Sequence, residues 1–280
     1  MTGDRWVYGE ERVAIGPGEN TPSNSSWDHK RVCDPAIVKG EFRHKRAGQS
    51  AAEVFEFGMF YTALDRKLES GGSHQVALAV AHDLSGPWHK TGPVIPGKQQ
   101  HGWGCGIPSV ISLDEKSRLL VVYTINDDQG GRSSACEIDL SNADSPRIVG
   151  DKPVVTTGFT TSLGTPDSVN TGGAIAYDQA SDSIWLIRPG RPFPATIPTD
   201  SATFVQLASI PRTKLTDPSG EWTVHRAYNS IDYGFVRFFA PGFVTDAFGR
   251  IDGTKLHLLV SVATVEGKPD WTWSARFHEL

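Results

Sequence analysis

Cysteine is scarce in this chain: three in 280 residues, Cys33, Cys105 and Cys136, with no C-x-x-C pair and no zinc-type spacing. A disulfide framework and a zinc module are therefore not expected. Buried free thiols are, because unpaired cysteine behaves as a small hydrophobe. Cys33 and Cys105 both lie where strands are expected to begin, so the two can be neighbours. Long apolar runs are also missing, and none approaches the ~18–20 residues needed to cross a bilayer. No secretory h-region follows Met1, which gives a cytoplasmic expectation, or a secreted one if a leader was removed. Charge of one sign is not concentrated: 27 basic and 32 acidic residues give a net charge of −5, with the basic residues scattered. Nucleic acid and membrane are accordingly not expected as partners. Sustained i, i+3, i+4, i+7 apolar spacing with helix caps is absent as well.

What the chain has is turn chemistry and short apolar runs. It carries 29 glycines, 18 prolines and 10% aromatics. Strand-length segments fall at 5–15, 33–38, 54–63, 75–82, 108–113, 118–125, 133–140, 147–155, 167–177, 183–188, 203–210, 221–226, 241–245, 255–263 and 271–278. No Gly/Ser- or Pro-rich linker divides them, so residues 1–280 read as one all-β domain.

Arg31 to Gly40, R-V-C-D-P-A-I-V-K-G, sets the pattern. A carboxylate, Asp34, stands before Pro35 and a short apolar run follows. Proline is tolerated at the first residue of a strand, where no ladder N–H is needed. The device recurs at Ile107-Pro108, Pro166-Asp167 and Ala240-Pro241, at intervals of about 60–75 residues. That suits four-stranded blades around an axis. Four sets of strands are visible, and residues 5–15 are expected to close the ring. The mouths of the innermost strands should then converge on one pocket.

The strings C-D-P-A-I-V-K-G, F-G-M-F-Y-T-A, V-A-L-A-V-A-H-D-L-S-G-P-W, G-C-G-I-P-S-V-I, G-A-I-A-Y-D and R-F-F-A-P-G-F-V-T-D-A-F-G-R follow in order over most of residues 31–250. Together they resemble the five-bladed β-propeller glycoside hydrolases of the family-43 and family-32 type and their hydrolase-like relatives. The resemblance implies five blades. It also sharpens the departures: Ile107 stands where those relatives carry Gln, Ala174 where they carry Asp, and Phe239-Ala240 where they carry His-Asn. Asp34 keeps its motif.

A glycosidase of the usual kind needs two carboxyl groups flanking the scissile bond. Asp34 supplies one. Asp167 is a candidate second but sits several residues early, and Glu56 and Glu221 fall in outer strands. With the polar mouth positions replaced, the pocket reads as apolar and suited to a hydrophobic small molecule. The residues expected to act on it are Asp34, His101 and Arg237, polarising one oxygen by hydrogen bonds. Trp103, Ile107, Asp167, Ala174, Arg188, Phe238 and Phe239 are expected to contact it. Each has a plainer alternative: a loop-bonding anchor for Asp34, salt bridges for Arg188 and Arg237, core packing for the phenylalanines. His225 is a satisfied strand histidine more readily than a base. No spacing calls for a metal or cofactor. The leading expectation is a cyclase or Diels-Alder-type catalyst of natural-product biosynthesis, working by near-attack positioning. The alternatives are an exo-acting glycoside hydrolase with Asp34 as general base, and a non-catalytic ligand-binding propeller.

Overall fold

The apolar and alternating runs become strands, joined by turns that Gly, Asn and Asp favour. The computed structural model describes residues 13–18, 20–21, 24–25, 27–65, 73–97, 102–127, 130–168, 172–191, 202–263 and 273–279. A short pairing of β1 (Asn20–Thr21) with β2 (Asn24–Ser25) precedes four larger sheets. The first runs β3 (Arg31–His44), β4 (Glu53–Leu64), β5 (Gln75–Ala81), β6 (His89–Ile95), each antiparallel to the last. The second repeats this with β7 (Gly104–Ser112), β8 (Arg118–Asp127), β9 (Gly130–Asp139) and β10 (Arg147–Pro153). The third holds β11 (Ala174–Asp178), β12 (Ser183–Pro189), β13 (Phe204–Pro211) and β14 (Thr223–Asn229). The fourth consists of β15 (Arg237–Phe243), β17 (His257–Ala263) and β18 (Trp273–Glu279), while β16 (Arg250–Ile251) lies parallel to β11. Helix is confined to two 3-10 turns among the described residues, at 212–214 and 230–233.

Successive sheets pack face to face, as in a propeller. Phe42, Phe60, Leu78, Leu119 and Ile138 fill the layer between the first and second. Ile111, Phe159, Ile184 and Trp222 belong to the layer between the second and third. Ile187, Leu207, Phe238 and Leu258 belong to that between the third and fourth.

Three expectations need correction. The Asp34-Pro35, Ile107-Pro108 and Ala240-Pro241 pairs do not begin strands but lie inside β3, β7 and β15, where the ladder skips. A bulge leaves one residue unpaired, so a missing N–H costs nothing there. The strand expected over 167–177 begins only at Ala174, because Pro166 bridges back to Thr160 and Asp167 turns inward to arginine. Residues 13–15 are not in a strand, and 5–12 lie outside the described residues.

One segment ties three of the sheets. The consecutive carbonyls of Ala247, Phe248 and Gly249 accept the N–H groups of Lys39 on β3 (2.7 Å), Ser112 on β7 (2.8 Å) and Tyr177 on β11 (3.0 Å). Asp246 shapes this turn by accepting Phe248 N–H and Arg250 N–H, both at 2.8 Å. No helix of the described residues is long and apolar enough to cross a membrane.

Candidate functional site

The residue before each bulge proline has left-handed backbone: Asp34 at φ 52°, Ile107 at φ 51° and Ala240 at φ 43°. In the third sheet, which has no such proline, Gly172 takes the place at φ 68°. Asp34, Ile107 and Gly172 each stand five residues before the amide that bonds the 247–249 turn: Lys39, Ser112 and Tyr177. Left-handed backbone costs an L-residue roughly 1–2 kcal/mol, and for a β-branched residue such as isoleucine it is an outlier. Bulges turn three of these residues inward and the loop before β11 places Gly172, and all four line one cavity of about 670 Å³.

Hydroxyls on the second strands fix two of the mouths. Thr62 Oγ1 accepts Ile107 N–H at 2.8 Å, and Thr124 Oγ1 accepts Gly172 N–H at 3.0 Å. The two threonines occupy equivalent places: Thr62 is paired with Cys33 and Thr124 with Gly106, each partner two residues before a bulge proline. Gly106 is required here, since an added Cβ would sit 2.6 Å from Thr62 Oγ1.

The first sheet contributes Arg31, Val32, Cys33 and Asp34 to the wall. Cys33 Sγ donates to Asp34 Oδ2 at 3.2 Å, and burial, reinforced by the Asp34 charge, pushes the thiol up to about 12. Cys33 is therefore a thiol, a weak donor to the carboxylate and a poor nucleophile. The second sheet contributes Trp103, Ile107, Thr124, Asn126 and Gly131. His74 holds Trp103 in place: its Nδ1 lies 2.9 Å from the Trp103 carbonyl oxygen, its backbone N–H donates to the same oxygen at 2.8 Å, and the two rings meet edge to face. Burial holds the imidazole below its ordinary value. The third sheet and its leading loop add Gly172, Pro189, Ala202 and Val205; the fourth adds Phe238, Ala240 and Pro241.

Of the residues the sequence pointed to, Asp34, Trp103, Ile107 and Phe238 thus meet in the cavity wall. Asp167 and Arg188 are placed elsewhere. Arg188 (1% exposed) donates to Asp167 Oδ2 at 2.8 Å and to Gln206 Oε1 at 2.9 Å, with its guanidinium 4.2 Å from the Phe159 ring. Arg191 donates to the other Asp167 oxygen at 2.8 Å. Burial pulls Arg188 below the usual guanidinium value, and the Asp167 hydrogen bond opposes it. This is an internal ion-pair group holding the third sheet, and it occupies the carboxylate that sequence spacing offered as a second acid. Arg237 is 3% exposed and, like Ala174, is not in the cavity lining; Ala174 packs against the layer between the third and fourth sheets. His101 and the Phe239 side chain lie outside what is described. His225 stacks on Trp185 at 4.5 Å and pairs with Ser209, away from the cavity. Cys105 is buried and donates to the Ile95 carbonyl.

Sequence reasoning missed Arg31, Thr124, Asn126 and Val205. Arg31 was within reach, three residues before Asp34. The other three come to the wall through strand pairing. Asp34 is the one carboxylate among the described lining residues. No group of three or more His, Cys, Asp or Glu is placed to hold a metal among the described residues.

No protein-family model matches the chain, and no curated protein matches it. Solved structures do. A thermostable family-43 glycoside hydrolase superimposes with a TM-score of 0.54 at 14% identity, covering 90% of this chain and 72% of that one. An α-L-arabinofuranosidase from Lactobacillus brevis gives 0.53 at 13% identity, covering 85% and 71%. The class is thereby defined at the level of fold: an all-β chain of blade-like antiparallel sheets with the glycoside hydrolase-like propeller fold. In this chain the mouth residues are Asp34, Ile107, Gly172 and Ala240.

Proposed function

We propose that the chain is an enzyme acting on a glycoside, with Asp34 as general base. Asp34 would take a proton from a water molecule as its oxygen bonds to the anomeric carbon; the glycosidic C–O bond breaks, and the departing oxygen takes a proton from solvent or, on an activated phenol, leaves as the anion. The observation that carries the reading is a carboxylate, the one among the described lining residues, placed at the cavity by a strained bulge, on a fold that solved glycosidases share. Fold alone does not assign chemistry. The site does more, with Trp103 as a ring platform and Arg31 and Asn126 as hydroxyl partners. Five blades belong to this proposal too, supported by the sequence resemblance, while four sheets are described.

Aryl glycosides test it cleanly, because 4-nitrophenolate departs without an acid and the assay then reports the base. We expect release of nitrophenol from at least one of the 4-nitrophenyl glycosides of L-arabinofuranose, D-xylose and D-galactose. The Asp34→Asn variant should lose on the order of 10³-fold in kcat/KM, as expected when a positioned base is removed. Absence of turnover across the panel overturns the reading.

One observation favours a second reading, a cyclase acting on a hydrophobic small molecule: most of the cavity wall is apolar and no second carboxylate stands in its described lining. That reading expects an isoprenoid or polyene to bind and rearrange while no glycoside turns over. A non-catalytic binding propeller expects affinity with no product by mass spectrometry.

A further inference from the structure

The cavity wall is divided by sheet. Every polar side chain among its described lining residues comes from the first two sheets: Arg31, Cys33, Asp34, Trp103, Thr124 and Asn126. Among the described lining residues, the third and fourth sheets supply only glycine and side chains without polar atoms, chiefly Pro189, Ala202, Val205 and Phe238. At Ala202 and Phe238 the backbone does not make up the difference. Ala202 N–H donates to the Phe238 carbonyl at 2.9 Å, and Phe238 N–H returns a bond to the Ala202 carbonyl at 2.6 Å. Those polar groups are consumed in joining the two sheets. The described side chains left toward the cavity on these two sheets are methyl, methylene and ring.

From this division we infer that the ligand is amphipathic: a glycoside whose aglycone is an apolar alkyl, aryl or isoprenoid group. The sugar lies against Arg31, Asp34 and Asn126, and the aglycone lies against Val205 and Phe238. The inference rests on the glycoside reading above and adds the class of leaving group. An oligosaccharide would press hydroxyls against the third and fourth sheets, where the described lining offers no side-chain partner, and an unpartnered buried hydroxyl is penalised. An alkyl chain there gains with every methylene removed from water. Ile107 extends the apolar half onto the second sheet, held in left-handed backbone where glycine would be unstrained, so the side chain itself is what that position supplies.

The test is calorimetric binding of methyl, butyl and hexyl glycosides of L-arabinofuranose, D-xylose and D-galactose, with n-hexanol as the sugarless control. For at least one sugar the affinity should rise about three- to fourfold per added methylene. Hexanol should bind at least about tenfold more weakly than the matching hexyl glycoside, since it forgoes the charged and amide partners. Val205→Thr, which keeps the shape of the side chain and adds one hydroxyl, should lower the hexyl-to-methyl affinity ratio, its folding being checked by its melting temperature. If that variant melts early, Phe238→Leu is read in the same way. A flat response to chain length, with methyl glycosides still bound, overturns this inference and leaves the glycoside reading standing. A chain-length response unaffected by either variant also overturns it, because the chain then lies elsewhere. Hexanol binding as well as hexyl glycoside overturns both, as does failure of every glycoside to bind.

Discussion

Ala240 and Ile107 show what a single backbone torsion does in this molecule. Both hold left-handed φ values that disfavour a side chain, and both face the cavity. Glycine would relieve the torsion but would free the unfolded chain, an opposing cost of roughly 0.5–1 kcal/mol. With left-handed strain of roughly 1–2 kcal/mol the balance favours glycine. Ala240→Gly should therefore stabilise the fold by about 0.5–1 kcal/mol, measured by denaturant unfolding. A loss of stability would mean that Ala240 is not left-handed. Cys33 gives a chemical counterpart. Its thiol, pushed up to about 12 by burial and by Asp34, stays protonated through neutral pH. At pH 8 its alkylation by iodoacetamide should run at least about 100-fold slower than that of a free thiol, because only the thiolate reacts. Asp34→Asn removes the neighbouring charge and should quicken it. Rapid alkylation of Cys33 in the unmodified protein would contradict the Cys33–Asp34 geometry. Asp34, Trp103, Ile107 and Phe238 were legible in the sequence because each belongs to an innermost strand or its leading loop, near a mouth that proline marks. Asp167 misled for the same reason: Pro166 imitates the mark. A salt bridge was the plainer expectation for Arg188, and the structure has one; what sequence could not show is that Asp167 is its partner, and removing one member of such a buried pair typically costs about 3–5 kcal/mol.

The elements were legible where apolar runs were long. β4, β5, β8, β9, β12 and β13 fall within a few residues of their expected bounds, since apolar or alternating runs of strand length bounded by turn residues have few other ways to be buried. The bulges were not legible, because a skipped register depends on the partner strand and not on the strand that bulges. Nor was the turn at 246–249, whose importance lies in three bonds to three sheets. Gly249 is its weak point: φ is 79°, and an added Cβ would stand 2.9 Å from Ile111 Cγ2 and 3.0 Å from the Val110 carbonyl. Gly249→Ala should destabilise the protein by about 2 kcal/mol or more, adding a close contact to left-handed strain. A variant that melts with the parent protein would show that the turn does not pin the sheets.

At the scale of the whole molecule, the same construction is repeated with different side chains. A bulge or, in the third sheet, the loop before β11 places one residue per sheet at the cavity, the next sheet's mouth is held by a threonine in two cases, and one turn ties three of the sheets. Repetition explains why the class of fold was readable from proline spacing and motif order. It does not determine what fills the mouths, and there the chain departs from the polar set that its resemblance led one to expect. The second and third strands that complete the wall, with Thr124, Asn126 and Val205, are set by register across sheets, which spacing along the chain does not encode.

The central claim is that Asp34 performs the chemistry of this cavity. Asp34→Gly tests it most directly, because glycine suits the left-handed backbone and removes the carboxylate without disturbing the bulge. On an activated aryl glycoside the variant should lose hydrolysis by on the order of 10³-fold. Added azide should restore nitrophenolate release by attacking the anomeric carbon in place of water, leaving a glycosyl azide detectable by mass spectrometry. Turnover by Asp34→Gly equal to that of the unmodified protein, with no azide product, would contradict the account.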